Sequence, residues 1–260
     1  MKNKFAKLIN SLSKKFGYRL IQIEKKNWYD DFVGISDFER KSLEIASKYS
    51  MTGFDRMFFL MKAIKQIKKD SVEGDFVECG VWKGGNLILF QKMIEKLNLD
   101  NRKIFAYDTY TGLSQPGKSD LNINDEKAED IINSFKKKKV DPEKNIFFCK
   151  CDLETVKNNF EINTDSNNNL ICIKGKVEST LKIKKNLPTK ISLLRLDTDW
   201  YESTKIELEV LFPLLSKNGI LIIDDYGYWK GSKKAVDEYF KDKDVNLFKI
   251  DFTSRYLFKR

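Results

Sequence analysis

The sequence contains no histidine among its 260 residues. This absence excludes a histidine general base, a Ser-His-Asp triad and a zinc site with histidine ligands. Any proton transfer that the protein performs must therefore use Asp, Glu, Lys, Tyr or Cys.

Cysteine is scarce, with four residues in the whole chain. Cys149 and Cys151 are too close in sequence for an easy disulfide, and nothing nearby completes a zinc site. Cys79 and Cys172 lie in strand-like apolar runs, where a free thiol packs as a small hydrophobic side chain. These observations predict a reduced, cytoplasmic protein.

Long hydrophobic runs are also missing. The first five residues are basic, but the continuous apolar core of a signal peptide does not follow them, and no segment approaches the length of a transmembrane helix. The apolar residues near the N-terminus recur instead at helical spacing and are Phe5, Leu8, Ile9, Leu12 and Phe16. We expect this face to pack on the protein or on a second subunit, which predicts a homo-oligomer.

The composition indicates a globular chain with a basic surface. Hydrophobic residues make up 41%, and the length suffices for one α/β domain with an appendage or for two small domains. The formal net charge of +10 is compatible with nucleic acid or an anionic membrane as a partner. However, the longest basic run, at residues 136–139, lies in a polar segment typical of a solvated face, without a stacking platform. We therefore expect no nucleic-acid partner and no membrane span.

Two predicted strands each end in a pair of carboxylates. The acids are Asp197 and Asp199 after one strand and Asp224 and Asp225 after the next. Ligands of open α/β sheets bind at the carboxyl ends of the strands, so these four acids would meet there. Such a cluster is unfavourable unless a proton or a cation lies within it, and oxygen ligands favour a hard cation such as Mg²⁺. The alternative is ordinary strand-end acids that are solvated or cap the following helix.

A glycine-rich turn follows the first predicted strand. Its glycines, Gly80, Gly84 and Gly85, would let the backbone approach a ligand, and the next helix would offer free N–H groups. The spacing differs from the G-x-G-x-x-G of dinucleotide folds, and turn chemistry alone is the alternative explanation. Asp108 ends the second strand, where an acid could accept hydrogen bonds from both ribose hydroxyls of an adenosine ligand.

Strands alternate with helices along the chain, which predicts a doubly wound α/β sheet. After a strand that ends before Gly80, further strands are predicted at residues 103–108, 170–173, 193–196 and 220–223, with a closing antiparallel pair at 247–252 and 256–258. Helices are predicted at residues 87–97, 126–138, 153–160, 202–215 and 233–240. The glycine turn, the acid after the second strand and the closing hairpin favour a class I methyltransferase over a dehydrogenase.

Three local features complete the prediction. Thr52 is expected to cap the helix that starts near Phe54, and the turn at residues 216–219 is expected to end a helix. Residues 115–125 have the composition of a mobile surface loop. Residues 1–70 are predicted to form a helical cap or oligomerisation segment, and residues 71–260 the Rossmann-like catalytic domain.

Five motifs, in matching order over roughly residues 50–240, resemble the macrocin O-methyltransferase family. They are FVECGVWKGG at residues 76–85, YDTYTGL at 107–113, Lys174-Gly175 with Thr180-Leu181, LDTDWYEST at 196–204 and IDDYG at 223–227. Members of this family methylate sugar hydroxyls of macrolides and aminocoumarins with S-adenosylmethionine and Mg²⁺. The resemblance therefore implies the class I methyltransferase fold, this activity and both cofactors.

The resemblance also implies roles for individual residues. Asp197, Asp224 and Asp225 would bind the metal, and Asp199 would be the catalytic base. Within the cofactor site, Asp108 would hold the ribose and Gly175 would border the adenine. The full set of cofactor-binding residues would be Thr52, Glu78, Gly80, Gly84, Gly85, Asn86, Asp108 and Gly175.

The chemistry of a sugar hydroxyl agrees with this assignment. Its pKa lies far above neutral, so a metal on two adjacent hydroxyls would lower that pKa and a carboxylate would take the proton. Asp199 could instead serve as a helix cap or support a metal ligand. Four aromatic residues could stack on a sugar face or serve packing instead: Trp200, Tyr201, Tyr228 and Trp229.

Three other functions are alternatives to sugar methylation. Methylation of a catechol-like phenol would use the same metal and the same vicinal diol. A nucleic-acid methyltransferase is suggested only by the basic charge. A non-catalytic protein that binds S-adenosylmethionine would not need the intact acidic cluster.

Overall fold

The computed structural model describes residues 34–99, 101–139, 141, 146–166 and 168–260. The chain divides into two compact units, residues 1–40 and 41–260, and the sheet lies in the second. The amphipathic face predicted between Phe5 and Phe16 lies outside the described residues. The predicted domain boundary at residue 70 stays a prediction.

The second unit alternates strands and helices as expected. Its strands are β1 (Asp75–Cys79), β2 (Ile104–Asp108), β3 (Leu170–Lys174), β4 (Ile191–Leu196), β5 (Leu215–Ile223), β6 (Phe248–Lys249) and β7 (Arg255–Phe258). The α-helices of the described chain are α1 (Asp37–Ser47), α2 (Phe54–Lys69), α3 (Gly85–Lys96), α4 (Ala128–Lys137), α5 (Leu153–Glu161), α6 (Val177–Thr180), α7 (Tyr201–Leu211) and α8 (Lys230–Phe240). Short 3₁₀ turns cover Ile146–Phe148, Lys184–Asn186 and Phe212–Leu214.

The described strands form one seven-stranded sheet in the order β3-β2-β1-β4-β5-β7-β6. Strands β1 to β5 are parallel, whereas β7 is antiparallel to β5 and to β6. The doubly wound sheet with a closing hairpin is therefore confirmed. The chain builds outward from β1 to β3 and then returns to β4 beside β1. This reversal places the topological switch point, where ligands of such sheets bind, between β1 and β4.

Helices cover the sheet because its strands are apolar on both faces. On one face, the register-paired residues Val77, Leu194 and Leu221 pack with Leu208 of α7 and Val236 of α8. Helix α2 contacts β4 and β5. Its buried residues recur at helical spacing and are Met57, Leu60, Met61, Ala63, Ile64 and Ile67.

The prediction that residues 216–219 form a turn that ends a helix is wrong. Helix α7 ends at Leu211, and β5 already begins at Leu215. Between the pairs Ile191–Leu215 and Leu193–Ile220 the register shifts, so the intervening residues of β5 bulge out of the ladder. The turn-like composition at 216–219 therefore forms a bulge within the strand.

Two further local predictions are wrong. Gly53 rather than Thr52 is the N-cap residue of α2, and no side chain caps that helix. The segment at residues 115–125 is not a free surface loop, because Asp120 is buried and accepts hydrogen bonds from the backbone N–H groups of Gly117 and Tyr201. Its composition resembles that of a loose loop, but buried polar contacts anchor it.

No helix within the described segments is long and apolar enough to cross a bilayer.

Candidate active site

A cavity opens at the carboxyl ends of β1 and β4, at the switch point of the sheet. Five of the predicted cofactor residues line it: Thr52, Gly80, Asn86, Asp108 and Gly175. Asp197, Asp199 and Asp224 also line it. The structure thus brings the predicted cofactor turn and three of the four paired acids to one cavity, as parallel strands with a common carboxyl edge require. Asp225 does not line it.

Three predicted cofactor residues do not line this cavity. Glu78 is buried beneath it, with 1% exposure. The N–H group of Gly85 donates to the Tyr49 carbonyl, and a Cβ atom at Gly85 would lie 2.5 Å from the Ala46 carbonyl oxygen. Gly84 packs against Val156. The cofactor roles of these three residues stay predictions, and Gly85 evidently serves close packing.

Gly80 is the position where the turn requires glycine. Its φ of +85° lies in the left-handed region, and a Cβ atom there would lie 1.9 Å from the Asp197 carbonyl oxygen. The N–H group of Asp197 donates to the Cys79 carbonyl at 2.8 Å. The turn after β1 therefore lies directly against the acidic end of β4.

Three of the paired acids form a cluster. Asp197, Asp224 and Asp225 each offer a carboxylate oxygen, and these oxygens lie within 4.8 Å of one another. Asp197 is placed by the end of β4, and Asp224 by the end of β5, where its N–H group donates to the Leu196 carbonyl. Three of the four paired acids therefore converge, as predicted.

Burial and repulsion by neighbouring carboxylates raise the pKa values of Asp197 and Asp225. Burial raises the pKa of Asp197 to about 6 although Arg195 opposes the shift, and the charge of Asp224 adds to it. Burial raises the pKa of Asp225 well above its ordinary value, with Asp199 and Asp197 contributing next. A cation among these oxygens would favour their ionised forms.

Arg195 is the functional residue that the sequence analysis missed. It lies in β4, is 2% exposed, and donates to Glu78 Oε1 at 2.7 Å, to Asp197 Oδ2 at 2.8 Å and to Asp224 Oδ1 at 2.6 Å. It also donates to Thr52 Oγ1 at 3.0 Å. The sequence contains a signal for this role, because an arginine inside a run of leucines on a buried strand needs buried acids as partners.

Asp199, the predicted base, faces the same cavity in an unusual backbone conformation. Its φ of 68° is left-handed, which Asp tolerates better than most residues. Trp229 Nε1 donates to Asp199 Oδ1 at 2.8 Å, and the Asp199 N–H group donates to Asp225 Oδ2 at 3.1 Å. Burial, followed by the charge of Asp197, raises the pKa of Asp199 to about 8. One carboxylate oxygen is therefore fixed by tryptophan.

Asp108 holds the glycine-rich turn in place. Its Oδ2 atom accepts from the N–H groups of Val81 and Trp82, at 2.7 and 3.1 Å, and Oδ1 accepts from Tyr110 at 2.7 Å. Burial raises its pKa, and these three hydrogen bonds lower it. Asp108 thus shapes the cavity wall that it also lines.

The four aromatic candidates do not line the cavity. The rings of Trp200 and Trp229 are buried and meet edge to face at 4.9 Å. Trp200 Nε1 donates to the Ser114 carbonyl, and the Tyr201 hydroxyl donates to Glu238. Tyr228 packs edge to face on Trp229. Of the two alternatives, the geometry favours packing and loop anchoring over stacking on a sugar.

Glu207 is a second buried group that the sequence analysis did not assign. It lies in α7 with 0% exposure, and its Oε1 atom accepts from the Thr198 hydroxyl at 2.9 Å. Burial raises its pKa well above the ordinary value of 4.5, which favours the protonated form. Through the Thr198 hydroxyl it supports the backbone between Asp197 and Asp199.

We expect Glu207→Gln to stabilise the protein increasingly as the pH rises from about 5 to about 8. The raised pKa means that folded protein retains a proton that the unfolded chain releases above pH 4.5, so the wild type loses stability with rising pH. Glutamine keeps the acceptor for Thr198 and has no proton to lose. Melting temperatures measured across this pH range test the prediction. The control is Glu209→Gln, an exposed position on the same helix. Parallel curves of melting temperature against pH for the wild type and Glu207→Gln would contradict the prediction.

Several known proteins are similar to this chain. A sequence profile of the family described as macrocin-O-methyltransferase (TylF) matches residues 40–259. The 8-demethyl-8-(2,3-dimethoxy-alpha-L-rhamnosyl)-tetracenomycin-C 4'-O-methyltransferase of Streptomyces olivaceus is 30% identical over 74% of this chain and 67% of its own. The demethyldecarbamoylnovobiocin O-methyltransferase of Streptomyces niveus is 28% identical over 79% and 74%. The structure of the O-methyltransferase NovP superposes with a TM-score of 0.69, at 27% identity over 81% of this chain and 82% of NovP.

Proposed function

Because the chain belongs to the macrocin-O-methyltransferase family and is thus an S-adenosylmethionine-dependent O-methyltransferase, we propose that it methylates a sugar hydroxyl with the help of a divalent cation such as Mg²⁺. The observation that carries the proposal is the cluster of Asp197, Asp224 and Asp225, of which Asp197 and Asp224 line the cavity. A carboxylate trio of this kind suits an oxygen-liganded hard cation.

Two buried acceptors would suit the methionine end of the cofactor. Asn86 donates through Nδ2 to Thr52 and to Glu78 Oε1, which leaves Asn86 Oδ1 directed elsewhere. Within the described chain, Asn86 Oδ1 and Glu78 Oε2 are buried atoms without a hydrogen-bond partner. Unpaired buried acceptors are unfavourable, and an ammonium group such as that of S-adenosylmethionine would pair with them. This chemistry supports the predicted cofactor roles of Asn86 and Glu78.

The acidic cluster also fits a divalent cation in charge. Asp197 and Asp225 have raised pKa values, and a cation would favour the ionised form of both, which binds metals. Asp197, Asp224 and Asp225 would each supply one oxygen. A cation held there would supply Lewis acidity, which would lower the pKa of an acceptor hydroxyl and help to orient the acceptor diol.

The protein's own residues would then position and deprotonate the acceptor. Methyl transfer from a sulfonium is an in-line displacement, so alignment of donor and acceptor is a large part of catalysis. Asp199 would take the hydroxyl proton on its Oδ2 atom, because Oδ1 accepts from Trp229. With no histidine in the chain, a carboxylate beside the cluster is the nearest available base.

The proposed acceptor class comes from the relatives. The Streptomyces olivaceus enzyme is named for methylation at the 4' position of a rhamnosyl tetracenomycin. A further relative, from Micromonospora griseorubida, is named mycinamicin III 3''-O-methyltransferase. We therefore propose a sugar of a glycan, a nucleotide-linked sugar or a glycosylated natural product as the acceptor. The cytoplasmic location and the homo-oligomeric state stay predictions.

We expect the purified protein to methylate a sugar hydroxyl only when a divalent cation is present. The assay offers S-adenosylmethionine with nucleotide-linked deoxysugars, rhamnosyl glycosides and catechol, and detects the methylated product by mass spectrometry. Excess EDTA should lower the rate at least about tenfold, and added Mg²⁺ should restore it. Calorimetry should show that S-adenosylhomocysteine still binds in EDTA, because the proposed cofactor contacts use residues other than the three clustered acids.

Three outcomes would contradict parts of this proposal. Methylation of catechol alone would favour the phenol alternative over a sugar. An unchanged rate in EDTA would exclude the cation mechanism, and absence of S-adenosylhomocysteine binding in EDTA would place the cation in the cofactor site.

A further inference from the structure

Asp224, one of the proposed metal ligands, already contacts two arginines. Arg195 Nη2 donates to Asp224 Oδ1 at 2.6 Å, and Arg56 Nη1 donates to Asp224 Oδ2. Both carboxylate oxygens are thus paired with a guanidinium. A divalent cation on Asp224 has to share this carboxylate with two positive charges, which repel it strongly in a partly buried site.

The two arginines differ in how firmly they are held. The Arg195 side chain is 2% exposed and is also paired with Glu78 and Asp197, so it cannot leave without stranding buried acids. The Arg56 side chain is 18% exposed and lines the cavity. Its Nε atom is buried and has no well-directed hydrogen bond. Arg56 is therefore the arginine that can move.

A second carboxylate lies within contact distance of Arg56. Asp251, in the turn between β6 and β7, places its Oδ2 atom 3.0 Å from Arg56 Nε. The other oxygen of Asp251 accepts from the N–H groups of Thr253 and Ser254 and fixes the turn. Oδ2 of Asp251 can accordingly hold the guanidinium of Arg56 when Asp224 releases it.

We propose that Arg56 is an exchangeable counter-ion of the metal site, which pairs with Asp224 in the metal-free protein and shifts onto Asp251 when a divalent cation binds. This inference rests on the proposed cation at Asp197, Asp224 and Asp225. Each binding event then breaks the Arg56–Asp224 pair. The metal affinity is accordingly lower than three carboxylates alone would give, until an acceptor adds its own ligands.

Two substitutions are expected to change metal affinity in opposite directions. Arg56→Met removes the competing charge and should tighten Mn²⁺ binding by about tenfold or more, which corresponds to about 1.4 kcal/mol. Asp251→Asn removes the alternative partner, so Arg56 stays on Asp224 and Mn²⁺ binding weakens. Asparagine keeps the Oδ1 acceptor for Thr253 and Ser254, so the turn is retained.

The measurement is a Mn²⁺ titration of the full chain with S-adenosylhomocysteine present and acceptor absent. The electron paramagnetic resonance signal of free Mn²⁺ reports how much of the ion is unbound. Lys62→Met is the matched control, because it removes one positive charge from an exposed position of the same helix, away from the acids. Its affinity should equal that of the wild type. Thermal melts in EDTA check folding, and if Arg56→Met does not fold, the Asp251→Asn result decides.

Each contrary result has a distinct meaning. Equal or weaker Mn²⁺ binding by Arg56→Met overturns the inference, since Arg56 would then be irrelevant to the metal or would orient Asp224 for it. Wild-type or tighter binding by Asp251→Asn also overturns it. If neither the wild type nor Arg56→Met binds millimolar Mn²⁺, the proposed metal site itself is absent, and the inference fails with it.

Discussion

Asp199→Asn is expected to lower kcat by about 10²–10⁴, the usual contribution of a general base. The substitution preserves size and removes the ability to accept a proton. Binding of S-adenosylhomocysteine and of Mn²⁺ should stay near wild type, because Asp199 is not among the three clustered oxygens. Part of the lost rate should return at high pH, where solvent hydroxide can replace the base.

The geometry makes asparagine a clean replacement at this position. An amide oxygen can still accept from Trp229 Nε1, and the N–H group that donates to Asp225 belongs to the backbone. Asparagine also tolerates the left-handed φ of 68°. Asp199→Ala would lose the tryptophan contact and strain the backbone, so a fall in its rate would not isolate proton transfer.

The outcome is read from turnover and metal affinity together. Asp237→Asn, an exposed carboxylate on α8, controls for the loss of one negative charge. Wild-type turnover of Asp199→Asn would mean that the acceptor hydroxyl loses its proton directly to water. A loss of Mn²⁺ binding would make Asp199 a metal ligand, and the base would have to be another residue.

The acidic site was predictable because its placement follows from local sequence. Apolar runs that stop at acids indicate buried parallel strands, and such strands share a carboxyl edge. Asp197, Asp224 and Asp225 therefore converge wherever two such strands are neighbours. The alternation of strands and helices likewise predicts a doubly wound sheet without knowledge of any tertiary contact.

The arginines of the site were not predictable in the same way, because their partners are distant in sequence. Arg195 lies opposite Glu78 only because β4 pairs with β1, and this pairing joins residues 117 positions apart. Arg56 reaches Asp224 across 168 positions. A strand pattern identifies which faces are buried, but it does not identify which charged residues share a face.

The wrong local predictions have the same origin. The composition of residues 216–219 suggests a turn, and that of residues 115–125 suggests a free loop. Both segments are rich in residue types that favour turns. In the structure, pairing with β4 keeps the first segment within β5, and buried Asp120 ties the second to the start of α7. Tertiary contacts override local preference in each case.

Arg195→Met is expected to destabilise the folded protein by about 3–5 kcal/mol at pH 7 in EDTA, measured by urea denaturation. Methionine fills similar space but leaves Glu78 and Asp197 without their cation, and Glu78 is 1% exposed. Burial raises the pKa of Glu78 to about 7 even beside Arg195. Without the arginine this pKa rises further, so folded protein binds a proton that the unfolded chain releases. The loss of stability should accordingly be smaller at pH 5 than at pH 8.

A double variant separates the ion pair from simple packing. Adding Glu78→Gln removes the stranded charge while keeping an acceptor for Asn86 Nδ2, so Arg195→Met with Glu78→Gln should be more stable than Arg195→Met alone by about 1–3 kcal/mol. Arg56→Met should cost less than Arg195→Met, because Asp224 then keeps its pair with Arg195. If Arg195→Met costs no more than Arg56→Met, or if its effect adds independently to that of Glu78→Gln, then backbone packing rather than Arg195 holds Asp197 and Asp224 in place.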